Sequence, residues 1–131
     1  MEWHLVDGQS EPDDFYPDAG SIRDVTGVQP RSSISLNTEV CVYGRHSNFR
    51  NCSLRVQDVS HGCTRPNGQF VDRMVAMNGV ASARGDGGGG WSLGNYAWGS
   101  VVGVCVIDFF DREVWSVADL YDEALSIRLA R

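Results

Sequence analysis

The sequence predicts an all-β fold, a closed antiparallel Greek-key barrel with one α-helix at its C-terminus. Short segments rich in β-branched and aromatic residues alternate with glycine-containing turns, and only the last residues change to a helical period. A β-sandwich is the alternative that the same pattern allows. The chain has 131 residues, of which 42% are hydrophobic and 21% charged, so we expect one globular domain spanning residues 1–131.

The first half of the chain predicts strands separated by a polar loop. Residues 7–20 are rich in prolines and acidic residues, which predicts a surface loop. Cys52, Leu54 and Val56 alternate with polar residues, as in a half-buried strand. The strands predicted in this half are Trp3–Val6, Ser21–Val28, Glu39–Tyr43 and Cys52–Val56.

Two tight hairpin turns are predicted in the second half. Asn67-Gly68 suits a type I′ turn, because both central positions of that turn require positive φ. A strand over Gln69–Met77 then follows. Gly94-Asn95 lies between two apolar segments and predicts a second hairpin, with a turn of type II′.

The C-terminal part predicts one long strand and then the helix. The run Ala97–Phe110 is rich in β-branched residues and apolar on both faces, as expected of a centrally buried strand. Ser116 is the expected cap of a terminal helix over residues 116–127, with Asp119 three residues further on. The apolar stripe of this helix should pack on the barrel.

The charge pattern excludes two classes of partner. Net charge is −6, and the eleven cationic residues, all arginine, are scattered along the chain. Nucleic acid needs clustered cations for its phosphates, and no apolar run reaches the roughly 18 residues of a membrane span. We therefore expect neither nucleic acid nor membrane as a partner. The start of the chain has neither a basic region nor an apolar stretch, so no signal peptide is expected.

Four cysteines favour disulfides over a metal site. None of them are spaced as CxxC, which makes zinc a poor expectation, and no metal or other cofactor is predicted. An even count with a short local loop between the first two favours two disulfides formed in an oxidising compartment. Three pairings are open, and four free thiols are the alternative. The cysteines are Cys41, Cys52, Cys63 and Cys105.

The most unusual stretch is the glycine run that ends at Trp91. Five of the fifteen glycines fall within residues 85–90. Because glycine adopts positive φ cheaply and lets a second backbone approach, such a run has a specific backbone task. A flexible spacer is the alternative. The run contains no serine, and Asp86 and Trp91 frame it, which argues against a spacer.

Residues 85–89, Gly-Asp-Gly-Gly-Gly, resemble the Gly-Asp-Ser-Gly-Gly signature of chymotrypsin-fold serine peptidases, with Gly87 where the nucleophilic serine stands. The surroundings are similar to the secreted bacterial branch that includes streptogrisins and alpha-lytic protease. The segment from Gly90 to Gly99 looks like the strand, turn and strand that follow the nucleophile there. The likeness runs from about Trp3 to the last helix, and covers only the second, C-terminal barrel of such an enzyme, which has six strands.

The resemblance also implies a disulfide pattern. The stretch Cys41–Cys52 is similar to a hairpin that a disulfide closes in the bacterial branch. If Cys41 pairs with Cys52, Cys63 must pair with Cys105. Family and cysteine usage together imply an extracellular or periplasmic location.

The family's chemistry implies roles for the glycine run. The N–H groups of Gly85 and Gly87 match the donors of the oxyanion hole, and backbone donors survive a side-chain change. Asp86 matches an aspartate whose buried ion pair shapes that hole. We expect an arginine as its partner, Arg45 first and Arg84 second, while a solvated Asp86 in a mobile loop is the alternative.

The substrate pocket should be altered. Ala81 and Ser82 would lie at its floor and carry no charge, so no preference for basic side chains is implied. Val102-Gly103-Val104 takes the place of the Ser-x-Gly segment with which the family binds the substrate backbone. A valine in place of the glycine at the pocket mouth should narrow or close the pocket.

Acyl transfer on this fold needs a serine, a histidine and an aspartate. Gly87 has no hydroxyl, the family's histidine and aspartate lie on the first barrel, and none of His4, His46 and His61 matches the catalytic histidine. We therefore expect the half of a trypsin-like endopeptidase that is inactive alone. The alternatives are a peptide- or anion-binding module on the same barrel, or part of an active peptidase completed by another chain.

An inactive half would expose an apolar face to a partner. The expected partners are a complementary first barrel or a second copy of the chain, and a peptide if there is any ligand. Trp3, Leu5 and the Trp91–Trp98 hairpin are the candidate members of this interface.

Overall fold

A computed structural model of the chain describes residues 14–65 and 67–121. They form ten strands and one 3₁₀ turn at Arg31–Ser33. No helix among the described residues is long and apolar enough to span a membrane. The strands are β1 Asp14–Asp18, β2 Ser21–Asp24, β3 Gly27–Val28, β4 Cys41–Gly44, β5 Phe49–Asn51, β6 Val56–Thr64, β7 Phe70–Met77, β8 Gly90–Leu93, β9 Tyr96–Ile107 and β10 Phe110–Val117.

The main sheet closes on itself as an antiparallel barrel. Its strand order is β5-β4-β8-β9-β10-β7-β6, and β3 adds a short parallel pairing to the start of β9. The segment before β4 then meets the start of β6. There the Asn37 N–H donates to the Val56 carbonyl at 2.8 Å, the Val56 N–H donates to the Thr38 carbonyl at 2.9 Å, and Glu39 pairs with Arg55. Strands β4, β6, β7, β8, β9 and β10 thus form the predicted six-stranded barrel.

Three tryptophans fill the barrel. The rings of Trp91 and Trp115 stack at a centroid distance of 5.8 Å, and Trp98 lies 6.4 Å from Trp115 at a tilt. All three are buried. The prediction that the Trp91–Trp98 hairpin lies on an exposed interface is therefore wrong for both tryptophans. Leu93 and Tyr96 at the tip of this hairpin are its exposed large hydrophobic residues.

Both predicted disulfides are present. Cys41–Cys52 closes the β4–β5 hairpin, and Cys63–Cys105 joins β6 to β9. The second bridge links strands that are not neighbours in the sheet, since β10 and β7 lie between them. Cys63 and Cys105 pack with Ala76 and Val114 in a small core cluster of their own.

The two predicted hairpin turns come out differently. At Gly94-Asn95, Leu93 pairs with Tyr96, and Gly94 has a φ of 58°, as a type II′ turn requires. At Asn67-Gly68 the type I′ prediction is wrong. Only Gly68 has a positive φ, 83°, and its N–H donates to the Arg65 carbonyl at 2.9 Å. This bond makes Arg65 the first residue of the turn and places the left-handed glycine at its last position.

Several predicted boundaries need correction. The loop predicted over residues 7–20 already contains strand β1, and the strand predicted over Ser21–Val28 is broken between β2 and β3. Residues 52–55 precede β6 instead of forming a strand of their own. Residues 1–13, including the predicted strand Trp3–Val6 and the proposed interface members Trp3 and Leu5, lie outside the described residues.

The long strand is shorter than predicted, and the predicted terminal helix is present but begins later than residue 116. β9 ends at Ile107, because Asp108-Phe109 turns the chain into β10, and of its residues only Trp98, Val101 and Cys105 are buried. Ser116 belongs to β10 and caps no helix. Residues 119–121 are helical, and the rest of the predicted helix lies outside the described residues. Ser116 is paired with Ser100 of β9, so it belongs to the sheet.

Candidate functional site

The glycine run forms a rigid turn between β7 and β8. The Asp86 N–H donates to the Ala83 carbonyl at 3.0 Å, and the Gly89 N–H donates to the Asp86 carbonyl at 2.8 Å. Two further bonds tie the turn to β9, from Gly88 N–H to the Val101 carbonyl and from Val101 N–H to the Gly89 carbonyl. Bonds at both ends of the run exclude a flexible spacer.

Gly85 and Gly87 differ in what they require. Gly85 has a φ of 108°, which disfavours any other residue there. A Cβ at residue 85 would also lie 3.0 Å from the His46 ring, which is too close. At Gly87 a Cβ would meet no atom within 4 Å, and φ lies outside the left-handed region. The backbone therefore leaves room for a serine at residue 87.

The buried Asp86 carboxylate organises the turn. Its Oδ1 accepts the N–H groups of His46 at 2.8 Å and Ser47 at 2.9 Å, and its Oδ2 accepts the N–H of Ala83 at 2.8 Å. Asp86 is 2% exposed and lies against Gly44, where any Cβ would clash with the carboxylate. Burial disfavours the charged form, but these N–H donors outweigh it and lower the pKa of Asp86 below its ordinary value.

The predicted arginine partner of Asp86 needs correction. No salt bridge joins Asp86 to Arg45 or Arg84, both of which are exposed. Backbone donors replace the guanidinium, and two of them come from the hairpin segment directly after Arg45. Three N–H groups satisfy a carboxylate without bringing a second charge into the interior, which avoids the desolvation of an ion pair.

A second buried carboxylate, which sequence reasoning missed, supports the segment before the turn. Glu113 in β10 is fully buried, and its Oε2 accepts the N–H groups of Ala81 at 2.8 Å and Ser82 at 3.0 Å. Together with the bond from Ala83 to Asp86, three consecutive N–H groups are thus held by two carboxylates. Glu113 follows Asp111 and Arg112 in the sequence and precedes the apolar pair Val114-Trp115, so only this position directly before an apolar pair could have marked it as buried.

The residues predicted for the substrate pocket fall into three places. Ser82, Gly103 and Val104 line a cavity of about 330 Å³ together with Gly85 and Gly87. Val102 lines an adjoining cavity of about 530 Å³, which also contacts Gly87. Ala81 packs against the barrel core. A valine at residue 104 was predicted to narrow or close the substrate pocket, yet a cavity is present beside Gly87 with Val104 in its wall.

The N–H groups of Gly85 and Gly87, predicted as oxyanion donors, have no hydrogen-bond acceptor within the described part of the chain. The N–H groups of Asp86, Gly88 and Gly89 all donate to a protein acceptor. Both glycines line the 330 Å³ cavity. An anion in this cavity would find two unused backbone donors nearby.

No histidine is placed for acid–base chemistry at Gly87 within the described part of the chain. His46 packs against Gly85, and His61 in β6 lies 3.2 Å from Asp58, with which it pairs locally. Neither lines the cavities beside Gly87. His4 lies outside the described residues.

Arg65 is the other residue that sequence reasoning missed. It ends the β6 side of the β6–β7 hairpin and lines both cavities that contact Gly87. Its Nη2 lies 3.3 Å from the point where a Cβ on residue 103 would stand. Arg65 and Gly103 are 38 positions apart in the sequence, which explains why no sequence pattern connects them.

The barrel is similar to solved bacterial proteases. Cellulomonas bogoriensis chymotrypsin matches with a TM-score of 0.76 and 19% identity over 95% of this chain and 64% of that chain. Thermobifida fusca protease A matches with a TM-score of 0.76 and 18% identity over 96% and 64%. A glutamic acid-specific serine protease matches with a TM-score of 0.71 and 20% identity over 92% and 62%.

These matches establish the fold of the bacterial chymotrypsin-like serine proteases, as the glycine run predicted. The chain spans somewhat more than three fifths of the length of these proteins. No protein-family model and no curated protein matches the sequence.

Proposed function

We propose that this chain is the C-terminal barrel of a trypsin-like serine peptidase that has lost its nucleophile, and that these 131 residues hydrolyse no peptide bond by themselves. One observation supports the proposal: the turn that resembles the family's nucleophile turn is held by hydrogen bonds, and a glycine with open space around it stands at residue 87. Acyl transfer requires a hydroxyl at that position and a base to take its proton. Gly87 has no hydroxyl, and no histidine among the described residues lines the cavities beside it.

The test restores the missing group. Gly87→Ser fits the open space at residue 87, so the variant should fold like the wild type. We expect no labelling of this variant by a serine-reactive fluorophosphonate, because no base activates the serine. Intact-protein mass spectrometry reads out the adduct, and the wild type is the matched control. An adduct on Ser at residue 87 would contradict the proposal.

Completion by another chain is tested with the same variant. If a first barrel supplied as a second chain made Gly87→Ser reactive, the chain would be one part of an active peptidase. That result would favour the split-enzyme alternative over a barrel without turnover. The exposed Leu93 and Tyr96, together with residues outside the described part, are the proposed contacts of such a partner or of a second copy.

A peptide- or anion-binding role for the same barrel is the second candidate. The unused N–H groups of Gly85 and Gly87 beside a 330 Å³ cavity favour it. Backbone donors beside a cavity can bind a carbonyl or carboxylate oxygen without a nucleophile. The volume is at the lower end of the roughly 300–1,000 Å³ of ligand pockets, which suits one side chain or a chain terminus.

We also propose an extracellular or periplasmic location. The two disulfides support it, because disulfides persist in oxidising compartments and are rare in the reducing cytosol.

A further inference from the structure

We infer that Arg65 makes the cavity beside Gly87 a binding pocket for a peptide carboxylate, either an acidic side chain or a C-terminus. The inference rests on the second candidate function, peptide or anion binding, and specifies its ligand class. It follows from the placement of one side chain that no sequence motif marks.

The position of Arg65 is the first argument. Its side chain lines three adjoining cavities around the glycine turn, of about 330, 530 and 710 Å³. The guanidinium lies over the backbone of Gly103, with Nη2 at 3.3 Å and Nε at 3.7 Å from the ideal Cβ position of that residue. A side chain at residue 103 would therefore compete with the guanidinium for this space.

The charge around the cavities is the second argument. Arg84 lines the 330 and 710 Å³ cavities with Arg65, while no aspartate or glutamate is among the described residues that line any of the three. This is the reverse of the chain as a whole, which carries a net charge of −6. A cleft walled by one sign of charge concentrates ligands of the opposite sign.

The bonding of Arg65 is the third argument. No salt bridge within the described ranges involves Arg65, and its side chain makes one long hydrogen bond, from Nη1 to Gln69 Oε1 at 3.4 Å. Glu113 is buried behind the cavity wall and does not line the cavities. Its Oε2 accepts two backbone N–H groups. The planar guanidinium thus has donors left for a carboxylate, which it can bind with two parallel bonds.

The hairpin that carries Arg65 holds its backbone in place. The Arg65 N–H donates to the Gln69 carbonyl at 2.8 Å, and its carbonyl accepts the Gly68 N–H at 2.9 Å. These bonds involve no side-chain atom of Arg65, so replacing that side chain leaves the turn intact. A ligand carboxylate on Arg65 would lie in the same cavity as the unused N–H groups of Gly85 and Gly87.

The experiment separates the two sources of a carboxylate. Three acetylated peptides are titrated calorimetrically into the folded chain: Ala-Ala-Ala-Glu-amide, Ala-Ala-Ala-Gln with a free C-terminus, and Ala-Ala-Ala-Gln-amide, which has no carboxylate. We expect at least one carboxylate peptide to bind roughly tenfold or more tightly than the amide of the glutamine peptide, since a charge-assisted pair contributes that much. The peptide that shows the preference identifies the source.

Matched variants assign the preference to Arg65. Arg65→Gln should abolish it, and Arg84→Gln should weaken it. Arg55→Gln removes the same charge from a residue that pairs with Glu39 away from the cavities, and should leave the preference unchanged. Circular dichroism and the denaturation midpoint show that each variant is folded.

The outcomes distinguish the inference from the function on which it rests. Equal binding of all three peptides, or a preference that survives Arg65→Gln, would overturn the role of Arg65 and leave peptide binding standing. No binding of any peptide at millimolar concentration would remove the binding candidate and the inference together. The labelling experiment with Gly87→Ser tests only the proposed loss of catalytic activity, and its result does not affect the peptide-binding proposal.

Discussion

Two buried carboxylates, Asp86 and Glu113, determine the shape of the wall beside Gly87. They accept the N–H groups of the three residues that precede Arg84, and Asp86 also accepts two from the β4–β5 hairpin. The bonds to Asp86 are charge-assisted, and removing either acceptor would leave buried donors unpaired. The oxyanion geometry proposed for Gly85 and Gly87 therefore depends on residues that do not contact a ligand.

Asp86→Asn tests this role through pH. The lowered pKa means that Asp86 stabilises the fold fully above its unfolded value, about 3.8, and that this contribution is lost as pH falls through the folded pKa. We expect the variant to lose about 2–3 kcal/mol of unfolding free energy at pH 7. The difference from wild type should shrink progressively below pH 4.

Denaturant titrations between pH 7 and pH 3 measure this difference. Asp111→Asn, at an exposed position of β10, is the charge-matched control and should differ little from wild type at any pH. A loss for Asp86→Asn that is constant over this range would contradict the charged state of Asp86.

At the scale of elements, the β9–β10 hairpin carries visible backbone strain. Ile107 pairs with Phe110 across a two-residue turn, in which Asp108 has a φ of 50° and Phe109 a φ of 67°. A type I′ turn requires these values, which cost a bulky residue roughly 1–2 kcal/mol. Phe109 is 100% exposed, so no packing in this chain offsets that cost.

Phe109→Gly should therefore stabilise the protein. Relief of the left-handed conformation exceeds the extra chain entropy of glycine in the unfolded state, and we expect a gain of about 0.5–1 kcal/mol. The midpoint of urea unfolding at unchanged m-value measures it. Phe110→Gly, at the first residue of β10, is the control. It should lower the stability of the protein, because glycine is unfavourable in a strand. A loss of stability in Phe109→Gly would show that the ring contributes to the fold.

At the scale of the whole molecule, the two disulfides contribute differently. Cys41–Cys52 spans 11 positions within one hairpin, whereas Cys63–Cys105 spans 42 and joins strands on either side of β10 and β7. The chain-entropy model assigns about 3 kcal/mol to the shorter loop and about 4 kcal/mol to the longer one. The longer bridge also lies in a buried cluster, so its loss removes packing as well.

Replacing each pair with alanines tests this ranking. We expect the Cys63→Ala, Cys105→Ala double variant to lose more unfolding free energy than Cys41→Ala, Cys52→Ala, by about 1 kcal/mol or more. Thermal and denaturant unfolding of both double variants, compared with the oxidised wild type, give the two losses. A larger loss for the hairpin bridge would mean that the β4–β5 segment, which holds Asp86, limits stability.

Much of the fold could be predicted because its signals are local. Gly94-Asn95 encodes its own turn through the φ that glycine allows, and the alternating segments encode strands. Local signals also misled at the ends of elements. Ser116 resembles a helix cap, but its pairing with Ser100 in β9 decides its state, and a pairing across 16 positions leaves no local mark.

The sequence by itself determined the barrel, the disulfide pairs through a resemblance, and the turn that places Gly87. Only the tertiary structure decided what surrounds that turn. Asp86 accepts an N–H group from a residue 40 positions away in the sequence, and Glu113 accepts one from a residue 32 positions away. Arg65 contacts Gly103, which is 38 positions away. Such contacts arise because barrel closure brings distant strands and hairpins together, and no residue pattern along the chain encodes which side chain a closed sheet will place beside a given backbone atom.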